Sequence, residues 1–250
     1  MDYHKDTTKV SKSGLDQIAK SPLHYWDRYL NPNYVEKKTA AMTLGSAVHT
    51  RVLEPQEYGK RYVTAPKFDR RTKDGKTNFD AFMADHPTHE IITYDDDVLI
   101  ERINDAVYKH PQSALILSKL SIVEQVFTHG DLKCRPDGIT SLNIVLDLKT
   151  TEDASPWAFG KSAHYYRYDV QAALYIDVLE ANGQTVEGFV FIAVEKSAPY
   201  AVAVYVIEDE DIQKGRDKYK ENLKVWQECK QTGVWPGYAM GKLMLPNYGK

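Results

Sequence analysis

The chain has 250 residues, 42% of them hydrophobic, a net charge of −3 and two cysteines. That is enough apolar material for a real core in one large domain or two small ones, and the weak negative charge excludes a protein that coats nucleic acid by bulk attraction, while leaving a local basic groove open. Cys134 and Cys229 lie far apart and match neither a disulfide framework nor a zinc or iron–sulfur ligand set, so any metal must rest on oxygen and nitrogen.

No apolar run reaches membrane-spanning length, and the N-terminus, with Asp2, His4, Lys5 and Asp6, lacks the basic-then-apolar layout of a secretory leader. The cytoplasm is the expected compartment, with no membrane partner. In chain order, Ser13 before "GLDQIAK" reads as an N-cap with Asp16 three residues on, and "SPLHYWDRYL" starts a second helix with Ser21 as cap and Pro22 in its first turn. "TAAMTLGSAVHTRVLEP" places Met42, Leu44, Ala47, Val48, Val52 and Leu53 at helical spacing up to Pro55, with His49 at the border of that stripe. Tyr58 to Ala65 and Ile91 to Thr93 read as extended, and the charged "FDRRTKDGKTNFD" between them as a flexible loop. Helices follow from Asp95 to Lys109 and from Gln112 to Lys119, interrupted at Pro111.

"SIVEQVFTH", "LKCRPDGIT" and "NIVLDLKT" then predict an antiparallel meander of three strands. A polar connector from Asp153 leads to a helix over Tyr168 to Ala181, closed by Asn182-Gly183. Two more strands, "TVEGFVFIAVEK" and "YAVAVYVI", precede a long helix over Asp209 to Gln231. No repeat or long linker divides the chain. The reading is one α/β domain, residues 1–250, with a mixed central β-sheet flanked by helices, N-terminal helices in 11–55 and a core over about 91–231.

"NIVLDLKT" poses the functional question. Side chains alternate along a strand, so Asp147 and Lys149 share one face and Leu146 and Leu148 the other. A charge on a central strand costs several kcal/mol unless it is paired or bound to a metal. Asp137, in "CRPDGIT", lies ten residues earlier, and a strand-turn-strand connection of that length sets it beside Asp147. Two adjacent carboxylates repel unless a cation lies between them, and hard oxygen ligands select Mg²⁺ or Mn²⁺. Singly, each feature is ordinary: "RPDG" is a good turn, and Asp-x-Lys is most often a surface ion pair worth ~0–1 kcal/mol. Gln171 and Tyr175 share a helix face, four residues apart. The spacing of the whole set carries the inference.

"RPDG", "LDLKT" and "YDVQAALY", preceded by "GSAVH" on a helix, together resemble the PD-(D/E)XK nuclease superfamily in its RecB-like branch, and within it the exodeoxyribonuclease VIII (RecE-type) nuclease domain of phages and prophages. The resemblance runs from "SKSGLDQIAKSPLHY" to the closing "TGVWPGY". It implies a restriction-endonuclease-like core in which His49, Asp137, Asp147 and the backbone carbonyl of Leu148 bind one or two Mg²⁺ ions, with Mn²⁺ as substitute. It also implies that Lys149 contacts the attacking water and that Gln171 and Tyr175 orient Lys149 and the scissile phosphate. Glu54 and Glu124 are candidate outer acids or simple solvated charges. Arg135 shares the face of Asp137 by strand alternation, and Arg70, Arg71, Lys73 and Lys76 form a candidate DNA clamp or a solvated surface.

The expected activity is hydrolysis of phosphodiester bonds. Such chemistry needs a nucleophile at neutral pH and neutralisation of phosphate charge, and Lys149, a compact cation, can stabilise the attacking oxygen. The resemblance adds a polarity, 5′ to 3′ on duplex DNA ends, leaving a 3′ overhang for recombination. It also implies a ring-shaped homo-oligomer and a single-strand annealing partner. An endonuclease of the same fold, or a catalytically silent protein that binds DNA ends, is the alternative; the intact His49, Asp137, Asp147, Lys149 set argues against the silent one.

Overall fold

The computed structural model describes Tyr3, residues 6–36 and residues 39–241; Asp2, His4 and Lys5 lie outside them. The chain begins with four helices, α1 (Lys12–Lys20), α2 (Pro22–Tyr29), α3 (Ala40–Leu53) and α4 (Pro55–Arg61). Next come β1 (Tyr62–Ala65), α5 (Lys73–Asp85), β2 (Glu90–Thr93), α6 (Tyr94–Lys109) and α7 (Pro111–Leu117). The strands β3 (Leu120–Val123), β4 (Phe127–His129), β5 (Leu132–Cys134), β6 (Gly138–Thr140) and β7 (Ile144–Thr151) are followed by α8 (Pro156–Tyr165) and α9 (Tyr168–Ala181). The last elements are β8 (Gly188–Glu195), β9 (Val202–Val206) and α10 (Asp209–Thr232). No helix among the described residues is long and apolar enough to cross a membrane.

The fold is mixed α/β. Five strands form the central sheet in the order β3-β6-β7-β8-β9. The β7–β8 pair is parallel, with α8 and α9 as the crossover between them, and its neighbours are antiparallel. Alternation along β7 and β8 gives each face its own core. Val145, Phe189, Phe191 and Ala193 pack under α9 and α10, with Tyr219 and Trp226 from the latter. Leu146, Leu148, Val190, Ile192 and Val194 pack under α3 and α6. Each fully buried side chain of this size stabilises the fold by about 1.5–3 kcal/mol. Asp147 and Lys149 therefore project toward the α9 side, where the periodicity puts them.

Several sequence expectations need correction. The cap of α1 is Ser11, whose Oγ accepts from the N–H of Gly14; Ser13 lies inside the helix. Pro55 stops α3 but also opens α4, because a helix's first turn has no use for the N–H that proline lacks, so the extended piece shrinks to Tyr62–Ala65. The expected flexible loop is half helix: Thr72 caps α5 through Gly75 at 3.0 Å, and Phe79 and Phe82 pack on Phe68. The polar connector holds α8, anchored by Phe159 stacked on Tyr205 at 5.1 Å. The meander is broken as well. Glu124 takes a left-handed φ of 51°, so β3 pairs with β6 in the main sheet while β4 and β5 form a separate hairpin.

That break shapes the sheet's end. β6 begins at Gly138, opposite Leu146, whereas β8 accompanies β7 to Thr151. Among the described residues, β7 has a backbone neighbour on one edge only from Asp147 onward. Pro136 has no N–H to extend the ladder, and the notch left there is where the charged groups gather.

Candidate active site

The strand β7 sets Asp147 and Lys149 two residues apart on one face, with Nζ 2.5 Å from Oδ1. Asp147 is only 1% exposed. The helix α9 lays Gln171 across this pair: its Nε2 donates to Asp147 Oδ2 and its Oε1 accepts from Lys149 Nζ at 3.3 Å. A primary amide suits that place because one end donates and the other accepts. Tyr168, at the start of the same helix, puts its ring 4.8 Å from the ammonium. Tyr175, one turn beyond Gln171, borders the same cavity, and burial raises its phenol well above its ordinary range.

Asp137 approaches from the loop ahead of β6. Its Oδ2 accepts from the N–H of Leu148 at 2.7 Å and lies 3.2 Å from Nδ1 of His49 on α3. A strand residue's N–H and C=O leave on the same side, so the Leu148 carbonyl also leaves β7 on the open edge. Glu124 joins from the other direction. Its left-handed backbone, which costs a non-glycine residue roughly 1–2 kcal/mol, places its carboxylate where a ligand atom each from His49, Glu124 and Asp137 lie within 4.8 Å of one another. Glu124 also pairs with Arg135 at 2.9 Å, and Glu54 with Arg61 at 2.7 Å.

The charges are strongly coupled. Burial works against every ionised form, and the partners decide the outcome. The His49 imidazole, against its burial, is held above its ordinary range by the charge and hydrogen bond of Asp137. Asp137 is held low in spite of burial by His49, Lys149 and the Leu148 N–H. Burial, with repulsion from Asp137 added, keeps Asp147 high despite Lys149. Lys149 is raised by both aspartates, which overcome its burial. Burial and the charge of Asp137 push Glu124 up to about 7. Three carboxylates and an imidazole converging on one cavity, one acid already at neutral pKa, are the donor chemistry that a divalent cation of Mg²⁺ or Mn²⁺ type satisfies.

The cavity holds about 940 Å³ and is bordered by His49, Glu54, Glu124, Arg135, Asp137, Asp147, Lys149, Gln171 and Tyr175. Residues from α3, β7 and α9 and from the segments just after β3 and just ahead of β6 thus meet at one place. Arg70, Arg71, Lys73 and Lys76 are not brought there. Arg71 is tied to Asp69 at 2.9 Å, Arg70 lies over Phe79 at 4.3 Å, and Lys73 opens α5. Arg70 and Lys76 border a separate hollow of about 410 Å³ with Phe79 and Asp80. Tyr166, Tyr168 and Lys12, which also border the main cavity, were missed in the sequence; the aromatic run "YYRY" just ahead of Gln171 is the signal that marks two of them.

Residues 11–243 match the family model described as a PDDEXK-like domain of unknown function (DUF3799). No curated protein matches the chain. Among solved structures, a protein from Eubacterium rectale provisionally named an exonuclease superposes with a TM-score of 0.67 at 17% identity, covering 97% of this chain and 94% of its own. At this identity the likeness shows the fold. A phage-related exonuclease from Haemophilus somnus gives 0.42 at 13% identity over 90% of this chain and 96% of its own. An alkaline exonuclease from Laribacter hongkongensis gives 0.35 at 9%, over 90% and 92%.

Proposed function

Because the chain belongs to the family of the PDDEXK-like domain of unknown function (DUF3799), we propose that it is a metal-dependent exonuclease hydrolysing phosphodiester bonds of duplex DNA. One observation carries the reading: Asp147 and Lys149, locked to each other by Gln171, stand beside Asp137, His49 and Glu124 in one open cavity. A buried acid-lysine pair serving the fold alone needs no cavity and no second acid beside it.

His49, Asp137, Asp147 and the Leu148 carbonyl would hold the cation, with Glu124 alongside. When bound, such an ion neutralises charge on the phosphate and makes a water more acidic. The chain's own groups do the rest. Lys149, kept charged by two aspartates, faces developing negative charge on the attacking oxygen from a fixed position, so no reorganisation is needed as the reaction proceeds. Gln171 fixes the Lys149 ammonium and prevents Asp147 from turning away. Tyr175, one turn beyond Gln171 on α9, borders the cavity, and Arg135, held by Glu124, presents a cation for the DNA backbone.

The exonuclease reading is supported by the name of the Eubacterium rectale protein that shares the fold. Polarity from 5′ to 3′, a 3′ overhang made for recombination, Mg²⁺ as the physiological ion, a ring-shaped homo-oligomer and a single-strand annealing partner complete the proposal as what the family resemblance implies, and a single nuclease domain in a cytoplasmic setting as what the sequence layout suggests. End-labelled duplex incubated with Mg²⁺, Mn²⁺ or Ca²⁺ tests it. Release should begin at the 5′ label with Mg²⁺ or Mn²⁺, and a covalently closed circle should survive. Release from the 3′ label overturns the polarity, and rapid linearisation of the circle overturns the exonuclease.

A further inference from the structure

Outside the cavity, the least explained feature is the outer face of α8. Phe159 anchors the helix inward, yet Trp157 is 74% exposed, Tyr165 78% and Tyr166 55%. Lys161, one turn after Trp157, holds its ammonium 4.1 Å from the indole centroid. Rings of this size lose stabilisation when left in water, so the fold itself does not call for them there.

Their arrangement is continuous with the site. Lys149 faces the Tyr168 ring at 4.8 Å. Tyr168 stacks on Tyr166 at 6.0 Å with an interplanar angle of 20°, and Tyr166 meets Tyr165 edge-on at 5.0 Å. Tyr166 and Tyr168 border the cavity, and Lys12 donates to the Tyr166 carbonyl, holding that corner. An unbroken run of rings thus leads from the ammonium of Lys149 to Tyr165 at the solvent, and Lys161 and Trp157 lie about one and two turns before Tyr165 along α8. Aromatic faces with interspersed cations are what bind single-stranded nucleic acid without sequence preference, since every base has a π-face and every linkage a negative charge. Bases inside a duplex have their faces covered by neighbours, so this surface suits nucleotides already separated from their complement.

Building on the nuclease reading, we infer that Tyr166 and Tyr165, continued by Trp157 and Lys161, form a stacking platform for unpaired nucleotides of the DNA strand whose scissile phosphate lies at Lys149. Strand separation then precedes cleavage, and the platform holds the frayed strand in line with the cavity.

The test is binding, by fluorescence anisotropy with Mg²⁺ present, of a thymidine oligonucleotide and of an abasic oligonucleotide of equal length to full-length protein carrying Asp137→Asn, a substitution expected to stop hydrolysis. Tyr165→Ala with Tyr166→Ala should weaken the thymidine oligonucleotide by about tenfold or more and leave the abasic one unchanged, while Tyr165→Phe with Tyr166→Phe should bind both as the parent does. Unchanged affinity for the thymidine oligonucleotide overturns the platform. So does an equal loss for both oligonucleotides accompanied by a changed sedimentation coefficient, which assigns the face to contact between copies of the chain. The unsubstituted chain is assayed beside them. If it degrades DNA while the alanine variants bind normally, the platform fails and the nuclease stands; if it neither binds nor degrades DNA, the nuclease reading itself fails.

Discussion

The carboxylate of Asp137 accepts a 2.7 Å hydrogen bond from the N–H of Leu148, a backbone donor on the edge where β6 has already ended. A side chain thereby takes over the ladder position that backbone would fill, and this aims the acid at the place where Asp147 emerges from β7. Asp137→Ala should leave the core intact, weaken Mn²⁺ binding about a hundredfold or more and abolish hydrolysis. Titration calorimetry with circular dichroism as a folding control checks this; undiminished affinity removes Asp137 from the ligand set.

In the proposed mechanism Lys149 separates binding from chemistry. Its Nζ is 2.5 Å from Asp147, so Lys149→Ala leaves a buried acid without its cation. Breaking such a pair costs roughly 3–5 kcal/mol when the remaining charge cannot be relieved. A divalent ion relieves it, so the melting temperature of the variant should recover when Mn²⁺ is added, whereas hydrolysis should stay down by about 10²–10³. A variant that cleaves at the parental rate with Mn²⁺ would remove Lys149 from the mechanism.

In the proposed mechanism Gln171 is a positioning residue. Gln171→Leu loses both hydrogen bonds, whereas Gln171→Glu keeps an acceptor for Lys149 but turns a second negative charge on Asp147. The glutamate variant should therefore lose more of kcat than the leucine variant, with KM near parental in both, because neither hydrogen bond reaches substrate. Equal losses in kcat and a raised KM would place Gln171 in substrate binding instead.

Close packing of α10 on α9 sets the height of Gln171. A Cβ at Gly215 would lie 2.1 Å from the carbonyl oxygen of Asp169, two residues before Gln171. Gly215→Ala should cost about 1–3 kcal/mol, lowering the melting temperature by about 2–4 °C per kcal/mol in a chain of this size, and it should slow hydrolysis by lifting α9. A melt at the parental temperature would show that the two helices can part without loss.

Asp147, Lys149, Gln171 and Tyr175 were legible because periodicity decides which way a strand or helix side chain points. The face of β7 and the turn of α9 follow from that, as does the sheet itself. Glu124 was not. Its place depends on a left-handed backbone that interrupts "SIVEQVFTH", and nothing in a strand-like run of valine, isoleucine and phenylalanine announces such a break. The charged loop failed for another reason: composition spoke for solvent, but the Thr72 cap and the Phe68 contacts, both local, outweighed it. Charge alone did not reveal which arginines would reach the cavity: Arg135 borders it beside Glu124, whereas Arg71 is tied to Asp69.

Glu124 supplies the pH dependence. Its carboxyl is pushed up to about 7, and His49 is held above its ordinary range. Both must lose a proton before they can serve as ligands, so Mn²⁺ affinity should rise as pH goes from 6 to 8, and Glu124→Gln should lower the affinity at pH 8 and flatten the rise. The same residue acts on the metal-free fold with the opposite sign. A carboxyl whose folded pKa of about 7 exceeds its ordinary 4.5 binds its proton more tightly when folded, so its contribution is present below 4.5 and is lost as pH climbs through about 7. Glu124→Gln removes that loss. With chelator present, the melting temperature of the variant minus that of the parent should increase between pH 5 and 8, and excess Mn²⁺ at pH 8 should reverse the order. A difference that stays flat across this range would mean that Glu124 titrates as a solvated acid held by Arg135 alone.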